Sequence, residues 1–151
     1  MDEKDRQIIR ELQRDGRLTN QELAEKVNLS ASPCLRRVRL LEESGVIQGY
    51  TALIDQKAYG LPITVFIRIR LDRHNSESVR AFEDKVRRSE DILDCFLMTG
   101  DCDYLLRVIV ESLEAYESFI RREIHNMPGI ASIDTSFAYG TVKHSKLYPH
   151  M

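Results

Sequence analysis

The spacing of apolar residues changes once along this chain of 151 residues, and that change limits its fold more than any other feature. Up to about residue 45, apolar residues recur at helical spacing, whereas from about residue 62 stretches of period two alternate with helical stretches. The segment between them is rich in glycine and turn-forming residues. We therefore predict an α+β protein with domains at residues 1–50 and 62–151 and a linker at 51–61.

Two short helices are predicted at the start of the first domain. The first spans about Glu3 to Arg14, and Gly16 follows as a residue suited to the left-handed position after a helix. The second begins at Thr19, which forms a T-x-x-E capping box with Glu22, and it ends at Asn28.

A third helix is predicted to begin with Ser32 as its N-cap and Pro33 as its first residue, where a missing N–H costs nothing. Gly45 follows its end. The predicted buried face consists of Leu35, Val38 and Leu41. Residues 46–54 look extended, as a wing or as the start of the linker. Three short helices joined by tight turns indicate an N-terminal helix-turn-helix domain.

The second domain alternates predicted strands and helices. Strands are predicted at about residues 63–71, 92–98, 104–110 and 133–139. Helices capped by Ser76 and Ser112 follow the first and third strands. This order is that of a ferredoxin-like βαββαβ domain, an antiparallel sheet with both helices on one face.

The third predicted helix carries three arginines and no acidic residue before Glu42. At about 100° per residue, Ser32, Arg36 and Arg39 fall on one side, with Arg37 on a flank. Arginines projected from a rigid helix can reach guanine edges and phosphates, so this is a candidate recognition helix; the alternative is a solvated basic face. The candidate DNA-binding residues are Thr19, Asn20, Ser30, Ser32, Pro33, Arg36, Arg37 and Arg39.

The net charge limits how DNA can be bound. With 22 Lys and Arg against 24 Asp and Glu, the formal net charge is −2, which excludes a protein that coats nucleic acid by charge alone. Residues 1–50 hold nine basic and nine acidic residues. A single domain should therefore bind DNA weakly, and useful affinity needs two or more linked copies.

The hairpin between the second and third strands is the other candidate site. Gly100 lets the backbone approach a ligand closely, and Asp101 and Asp103 can accept from an ammonium group. Thr135 and Ser136 on the last strand could add hydroxyl contacts or could satisfy nearby backbone. The alternative for the loop is an ordinary hairpin with solvated carboxylates.

Other classes of site are not indicated. Cys34, Cys95 and Cys102 are too few and too odd in number for a disulfide framework, and a lone cysteine is more often a small buried apolar group than a thiol sensor. The four histidines lack the spacing of a zinc site. We see no catalytic arrangement and no phosphate loop, so we expect neither a cofactor nor an enzyme. We see no signal peptide and no membrane span, so we expect a cytoplasmic protein.

Motifs in both domains resemble the Lrp/AsnC, or feast/famine, family of transcription regulators. The resemblance to the DNA-binding half of that family lies in residues 2–19, 22–30 and 32–50, which include P-C-L-R-R-V-R and G-V-I-Q-G-Y. The resemblance to the family's effector domain lies in T-G-D-C-D-Y-L-L at 99–106, M-P-G-I at 127–130 and V-K at 142–143. Gly100, Asp101 and Asp103 match the family's loop motif directly, whereas the family leaves position 102 variable.

The resemblance implies a regulator that binds double-stranded DNA and responds to a free amino acid or a related small molecule. It further implies a homo-oligomer, with dimers formed through the sheets and assembled into octamers or larger discs. The effector would bind between dimers, near the hairpin loop and the last strand. The effector-binding residues so implied are Met98, Thr99, Gly100, Asp101, Asp103, Tyr104, Thr135 and Ser136.

Two other functions remain open at this point: an architectural protein that wraps or bridges DNA with little sequence preference, and an amino-acid-binding subunit that controls an enzyme. The ratio of specific to non-specific affinity at matched salt separates the first from a sequence-specific regulator. Binding of duplex DNA by isolated residues 1–60 separates the enzyme-controlling subunit from the regulator and from the architectural protein.

Overall fold

A computed structural model describes residues 1–72, 76–127, 129–145 and 147–149. Its elements are α1 (Glu3–Arg14), α2 (Asn20–Lys26), α3 (Ala31–Glu43), β1 (Ile63–Leu71), α4 (Ser76–Arg88), β2 (Ile92–Leu97), β3 (Tyr104–Val110), α5 (Leu113–Phe119), which continues as a π-helical turn (Ile120–Ile124), and β4 (Ile130–Phe137). Two compact units form, Met1–Leu53 with Val142–Met151 and Ile54–Thr141. The domain limits 1–50 and 62–151 stay predictions. Pro128 in the M-P-G-I motif and the side chain of Ser76, the predicted cap, lie outside the described residues.

Capping boxes begin the first two helices. The hydroxyl of Thr19 accepts from the Glu22 N–H at 3.3 Å, and the Glu22 carboxylate accepts from the Thr19 N–H at 2.8 Å, which confirms the predicted box. Asp2 and Asp5 form a second reciprocal box at α1, which the sequence analysis did not anticipate. Asn28, with φ of 53°, adopts the left-handed conformation after α2, so this predicted helix end is confirmed.

The end of α1 differs in detail from the prediction. The helix ends at Arg14 as expected, but Gly16 is not left-handed. Asp15 leaves the helix with extended backbone, φ −144° and ψ 100°, so no left-handed residue is needed there. The backbone position of Gly16 instead faces the ring of Tyr50, which would lie 3.5 Å from a Cβ added to the glycine.

The predicted start of α3 is wrong by two residues, because Ser30 and not Ser32 is the N-cap. The first bond within the helix runs from the Cys34 N–H to the Ser30 carbonyl at 3.2 Å. Pro33 is therefore the last residue of the first turn whose missing N–H breaks no helical bond. Gly45, with φ of 72°, follows the helix as predicted. Residues 46–62, all of them described, form neither strand nor helix, so no wing strand follows α3.

The buried face of α3 also differs from the prediction. Cys34 and Leu41 are buried and Val38 is partly buried, whereas Leu35 is 38% exposed. At about 100° per residue, the observed stripe spans about 60° of the helix surface, and the predicted one would have spanned about 120°. The narrower stripe packs on one core with Ile8, Leu23, Ala24 and Val27.

The second unit is an antiparallel four-stranded sheet in the order β2-β3-β1-β4, which confirms the predicted βαββαβ fold. Alternate residues of β1 are buried, as its period-two pattern predicted. They form one core with side chains of α4, α5 and the π-helical turn, so both helices lie on the same face: Val65, Ile67, Ile69, Phe82, Val86, Phe119 and Ile124. The last strand ends at Phe137, so Tyr139, which was predicted to continue it, is exposed beyond the sheet.

The other face of the sheet, here called the open face, carries the intervening residues. Register places Phe66, Leu105 and Ile109 on this face, since Leu105 lies opposite Arg68 and Ile109 opposite Thr64. These apolar side chains are only half-buried. Within the described residues, no helix combines the length and the apolar character that crossing a membrane requires.

Candidate functional site

The outer side of α3 presents one continuous surface. Ser32, Arg36 and Arg39, predicted to share a side, are all exposed. They surround a shallow depression together with three residues that were not predicted on this side of the helix, namely Leu35, Leu40 and Glu43. We call these six residues the outer face of α3. This face lies opposite the buried stripe of α3, which packs on the core of the unit and so fixes the position of the helix.

The N-terminus of α3 offers free backbone donors. Ser30 is exposed and its side chain makes no capping bond, so the N–H groups of Ala31 and Ser32 are not capped by it. Pro33 has no N–H to offer. A helix start with open N–H groups and a positive dipole end favours phosphate, which suits a contact with the DNA backbone.

Arg37, the remaining predicted arginine, does not lie on the outer face of α3. Its guanidinium Nη1 donates to Asp2 and to Asp5, each at 2.7 Å, and so joins α3 to the capping box of α1. The bonds to Asp5 and Asp2 raise the pKa of Arg37 above its ordinary value. The backbone N–H of Asp5, followed by Arg37, lowers the pKa of Asp2.

Asn20 also acts inside the unit. Its amide Nδ2 donates to the Ala31 carbonyl at 2.9 Å and thereby links the first turn of α2 to the first turn of α3. The hydroxyl of Thr19 is exposed at the start of α2 and donates to the Glu22 carboxylate at 2.8 Å. Thr19 therefore lies on the surface at the start of α2, whereas the Asn20 amide ties α2 to the residue that follows the turn.

A contact that the sequence analysis missed fixes α1 against α2. Lys4 Nζ donates to the Val27 carbonyl at 2.6 Å and to Gln7 at 3.1 Å. No local periodicity signals a lysine that reaches a helix 23 residues away. The D-x-x-D spacing of Asp2 and Asp5, by contrast, was a readable sign of a capping box.

The predicted effector loop is a tight hairpin between β2 and β3. The Met98 N–H donates to the Asp103 carbonyl at 2.8 Å and closes it. Gly100 has φ of +103°, a conformation that L side chains rarely adopt, although space is open around it. Thr99 and Asp101 are exposed, and the Asp101 carbonyl accepts from Arg70 on the open face.

Asp103 ties the same loop to β1. Its carboxylate accepts from the Leu71 N–H at 2.8 Å, and its own N–H donates to the Ile69 carbonyl at 2.9 Å. These bonds continue the β1–β3 ladder beyond Tyr104, the first residue of β3. The two aspartates therefore differ, because the Asp103 carboxylate is engaged by backbone and the Asp101 carboxylate is at the surface.

Tyr104 belongs to the core of the second unit. Its side chain is buried, its ring centroid lies 4.5 Å from that of Phe82, and its hydroxyl donates to Glu83 at 3.0 Å. Burial, followed by the bond to Glu83, raises the pKa of Tyr104 to about 12. Tyr104, one of the implied effector residues, therefore packs in the core directly after the loop.

Thr135 and Ser136 point to opposite faces of the sheet. Thr135 lies opposite Ile67 and shares a short hydrogen bond with the Tyr116 hydroxyl on the helix side. Ser136 lies on the open face, where it accepts from Arg68 at 3.1 Å. Both are separated from the hairpin by β1, and they pair with the middle of that strand rather than with the end near the hairpin. Within one chain, the structure does not bring them together with residues 98–103.

Both regions match models of known protein families. The model of the Lrp/AsnC ligand binding domain matches residues 64–148, which is more than half of the chain. The chain belongs to the Lrp/AsnC family. A winged helix-turn-helix DNA-binding model also matches residues 1–48 of this Lrp/AsnC protein.

Curated relatives match over almost the whole chain. The Bkd operon transcriptional regulator of Pseudomonas aeruginosa is 41% identical over 142 residues, covering 94% of this chain and 93% of that protein. The leucine-responsive regulatory protein of Escherichia coli is 40% identical over 145 residues, covering 96% and 88%.

Solved structures of the family superpose closely. A transcriptional regulator of Neisseria meningitidis in complex with L-Met has a TM-score of 0.93 and 36% identity, covering 99% of this chain and 96% of that one. An AsnC family regulator from Agrobacterium tumefaciens has the same TM-score and 38% identity, covering 99% and 97%. This Lrp/AsnC protein is therefore a transcriptional regulator with a DNA-binding helix-turn-helix and a ligand-binding domain, and not an enzyme.

Proposed function

We propose that this regulator recognises its operator by laying the outer face of α3 in the major groove. The observation that carries the proposal is the contrast among the three arginines. Arg37 is held by two carboxylates, whereas Arg36 and Arg39 are exposed and, among the described residues, pair with no carboxylate. Guanidinium groups without a carboxylate partner, on a helix that packs on its core, are available for guanine edges and phosphates.

Backbone phosphates would be bound at the edges of this surface. The N–H groups at the start of α3 and the exposed hydroxyls of Ser30 and Ser32 are donors of the kind that position a helix on duplex DNA. The Thr19 hydroxyl, which donates to Glu22, would contribute by fixing the start of α2. Asn20 and Pro33 would contribute by setting the turn and the first helical residues. Such contacts fix register, and the arginines read bases.

We further propose that assembly supplies the affinity that one neutral DNA-binding domain lacks. The open face of the sheet combines half-buried Phe66, Leu105 and Ile109 with exposed Phe96, and an apolar sheet face of this kind suits a second copy. Two ion pairs, Arg68 with Asp134 and Arg107 with Asp94, border these apolar residues. Dimers formed in this way would assemble into octamers or larger discs.

The effector is proposed to be a free amino acid bound at the hairpin loop, between dimers. The exposed Asp101 carboxylate suits the ammonium group, and loop N–H groups suit the carboxylate. Because Thr135 and Ser136 lie away from the loop of their own chain, a role for either would require the loop of another copy. The L-Met complex of the Neisseria relative supports an amino acid as the ligand class.

One experiment tests the DNA-binding proposal. A duplex selected by the full-length protein from a randomised library is titrated with wild type, Arg36→Ala, Arg39→Ala and the surface control Arg80→Ala on α4. Loss of affinity in the first two variants but not in the control supports the proposal. Equal affinity in all four proteins would move the DNA contacts away from α3.

A further inference from the structure

We propose that Leu35 and Leu40 are specificity-determining residues that contact thymine methyl groups in the operator. The inference rests on the proposed binding of α3 in the major groove and adds what the two leucines read there. Leu35 is 38% exposed and Leu40 is 56% exposed, and both border the depression that Arg36 and Arg39 line.

The helical geometry places the leucines symmetrically. At about 100° per residue, Ser32 and Glu43 lie near the middle of the outer face of α3. The two arginines lie within about 30° of that middle, and the two leucines lie about 70° from it on either side. The outer face therefore has Arg36 and Arg39 along its centre, Glu43 at its C-terminal end and one leucine on each shoulder.

A helix of this shape brings its shoulders to the walls of the groove. The major groove is about 12 Å wide and an α-helix with side chains is about 10–12 Å across, so shoulder residues meet base edges near the groove walls. The C5-methyl group of thymine is the one apolar group that a base presents in this groove. Contact between this methyl group and an apolar side chain buries apolar surface and so favours binding, whereas contact between a leucine and a phosphate does not.

Charge complementarity selects DNA as the occupant of this surface. A single exposed leucine is ordinary on a soluble protein. Here, however, both leucines are on the helix that carries the free guanidiniums of Arg36 and Arg39, and an apolar protein partner would have to leave those charges unpaired. A polyanion with methyl groups in its groove matches both parts of the surface. The expected operator thus has guanines at its centre and thymines flanking them in each half-site.

Deoxyuridine substitution tests this without altering the protein fold, because uracil lacks only the thymine methyl. The full-length wild type first selects a duplex from a randomised library, and each thymine of that duplex is then replaced singly by deoxyuridine. We expect at least one replacement per shoulder to weaken wild-type binding about fourfold, the equivalent of burying one methyl group. Leu35→Ala and Leu40→Ala should each bind the thymine duplex about fourfold more weakly and become insensitive to deoxyuridine at one position. Leu113→Ala, which removes an exposed leucine from α5, serves as the matched control.

The outcomes separate this inference from the proposed function. Wild-type affinity unchanged at every deoxyuridine position would overturn the inference, as would leucine variants that keep the full deoxyuridine effect. In either case, a loss of binding in Arg36→Ala and Arg39→Ala would still support α3 as the recognition helix. If those arginine variants bind normally, the proposed function fails instead, whatever the leucine variants do.

Discussion

The guanidinium of Arg37 lies 2.7 Å from the Asp5 carboxylate, and this bond joins α3 to α1 across 32 residues of sequence. The same nitrogen also donates to Asp2, so one arginine meets both members of a capping box. Asp2 and Asp5 are in turn fixed by each other's backbone N–H groups. The orientation of α3 is therefore coupled to the start of α1 by charge-assisted bonds as well as by the apolar core.

This relationship predicts that Arg37 acts by positioning α3. Arg37→Ala should lower the melting temperature more than Arg36→Ala does, because Arg37 pairs with two carboxylates and Arg36 pairs with none among the described residues. Its effect on DNA affinity should be non-additive with that of Asp5→Ala, since either change breaks the same bond. Binding titrations of both single variants and the double variant measure this. If Arg37→Ala costs the same affinity with and without Asp5, and reduces the salt slope by about one, the residue contacts a phosphate instead.

Acidic pH tests the same cluster through Asp2. Hydrogen bonding from the Asp5 N–H, and then Arg37, lowers the pKa of Asp2 below its ordinary 3.8. The ionised carboxylate therefore stabilises the fold above about pH 3.8, and the contribution disappears as pH falls through the lower folded value. Asp2→Asn keeps an N-cap acceptor but no charge, so its deficit in melting temperature at pH 7 should shrink towards pH 3. A deficit that is constant over this range would contradict an ionic role.

Arg36 provides the direct test of base or phosphate contact. Arg36→Ala should weaken binding to the selected duplex by about 1–3 kcal/mol if the side chain reads a base, while fold and oligomer persist because the residue is exposed. Fluorescence anisotropy at several salt concentrations measures the affinity, with Arg80→Ala as the charge-matched control. Unchanged affinity at physiological salt excludes this role.

Local patterns explain which features the sequence could predict. The Thr19–Glu22 box and the alternation of Ile63–Leu71 involve neighbouring residues, and both were confirmed. The partners of Arg37 are 32 and 35 residues distant, so periodicity alone gave no access to them. Leu35, Val38 and Leu41 were predicted to form the buried face of α3 because they repeat every three residues, whereas the observed, narrower stripe contains Cys34 in place of Leu35.

The candidate effector site shows the same division. Strand alternation alone could have shown that Thr135 and Ser136 face opposite sides of the sheet. The use of the Asp103 carboxylate by the Leu71 N–H depends on the pairing of β1 with β3, which sequence spacing cannot supply. The proposed roles of these residues in effector binding stay predictions.

Assembly through the open face predicts a sensitive position in β3. Leu105→Asp places a charge among Phe66 and Phe96 and should prevent dimerisation, since taking a carboxylate out of water into an apolar interface is unfavourable and Arg68, which lies opposite, already pairs with Asp134. Sedimentation at micromolar concentration should then show monomers, and tight DNA binding should be lost with the second copy. Leu113→Asp, at an exposed helical position, is the control. A Leu105→Asp protein that sediments like wild type, with an intact circular dichroism spectrum, would place the interface elsewhere.

Tyr104 separates a structural role from an effector contact. Tyr104→Phe removes the hydroxyl that donates to Glu83 and keeps the packing on Phe82, so unfolding free energy should fall by about 1 kcal/mol. Effector affinity should be unchanged, because the hydroxyl points into the helix side of the sheet. Urea denaturation and calorimetric titration measure the two quantities. A variant with normal stability and weakened effector binding would assign the hydroxyl to the ligand.

The hairpin loop gives the sharpest test of the effector proposal, because its two aspartates have different surroundings. A thermal-shift screen of the twenty amino acids first identifies the ligand that raises the melting temperature. Asp101→Asn then removes an exposed charge while leaving the backbone carbonyl that Arg70 binds, so stability should be retained and effector affinity should fall about tenfold or more. Asp103→Ala should chiefly lower stability, since it removes the side-chain oxygen that accepts from the Leu71 N–H.

Gly100→Ala completes this comparison as a test of loop conformation. At φ of +103° a Cβ is strained although no neighbour crowds it, so the substitution should distort the loop and weaken effector binding without disturbing effector-free DNA binding. Calorimetric titration of the identified amino acid into each variant of confirmed oligomeric size provides the measurement. Wild-type effector affinity in both Asp101→Asn and Gly100→Ala would leave the hairpin as an ordinary turn, and the amino-acid site would have to be sought on another surface of the sheet domain.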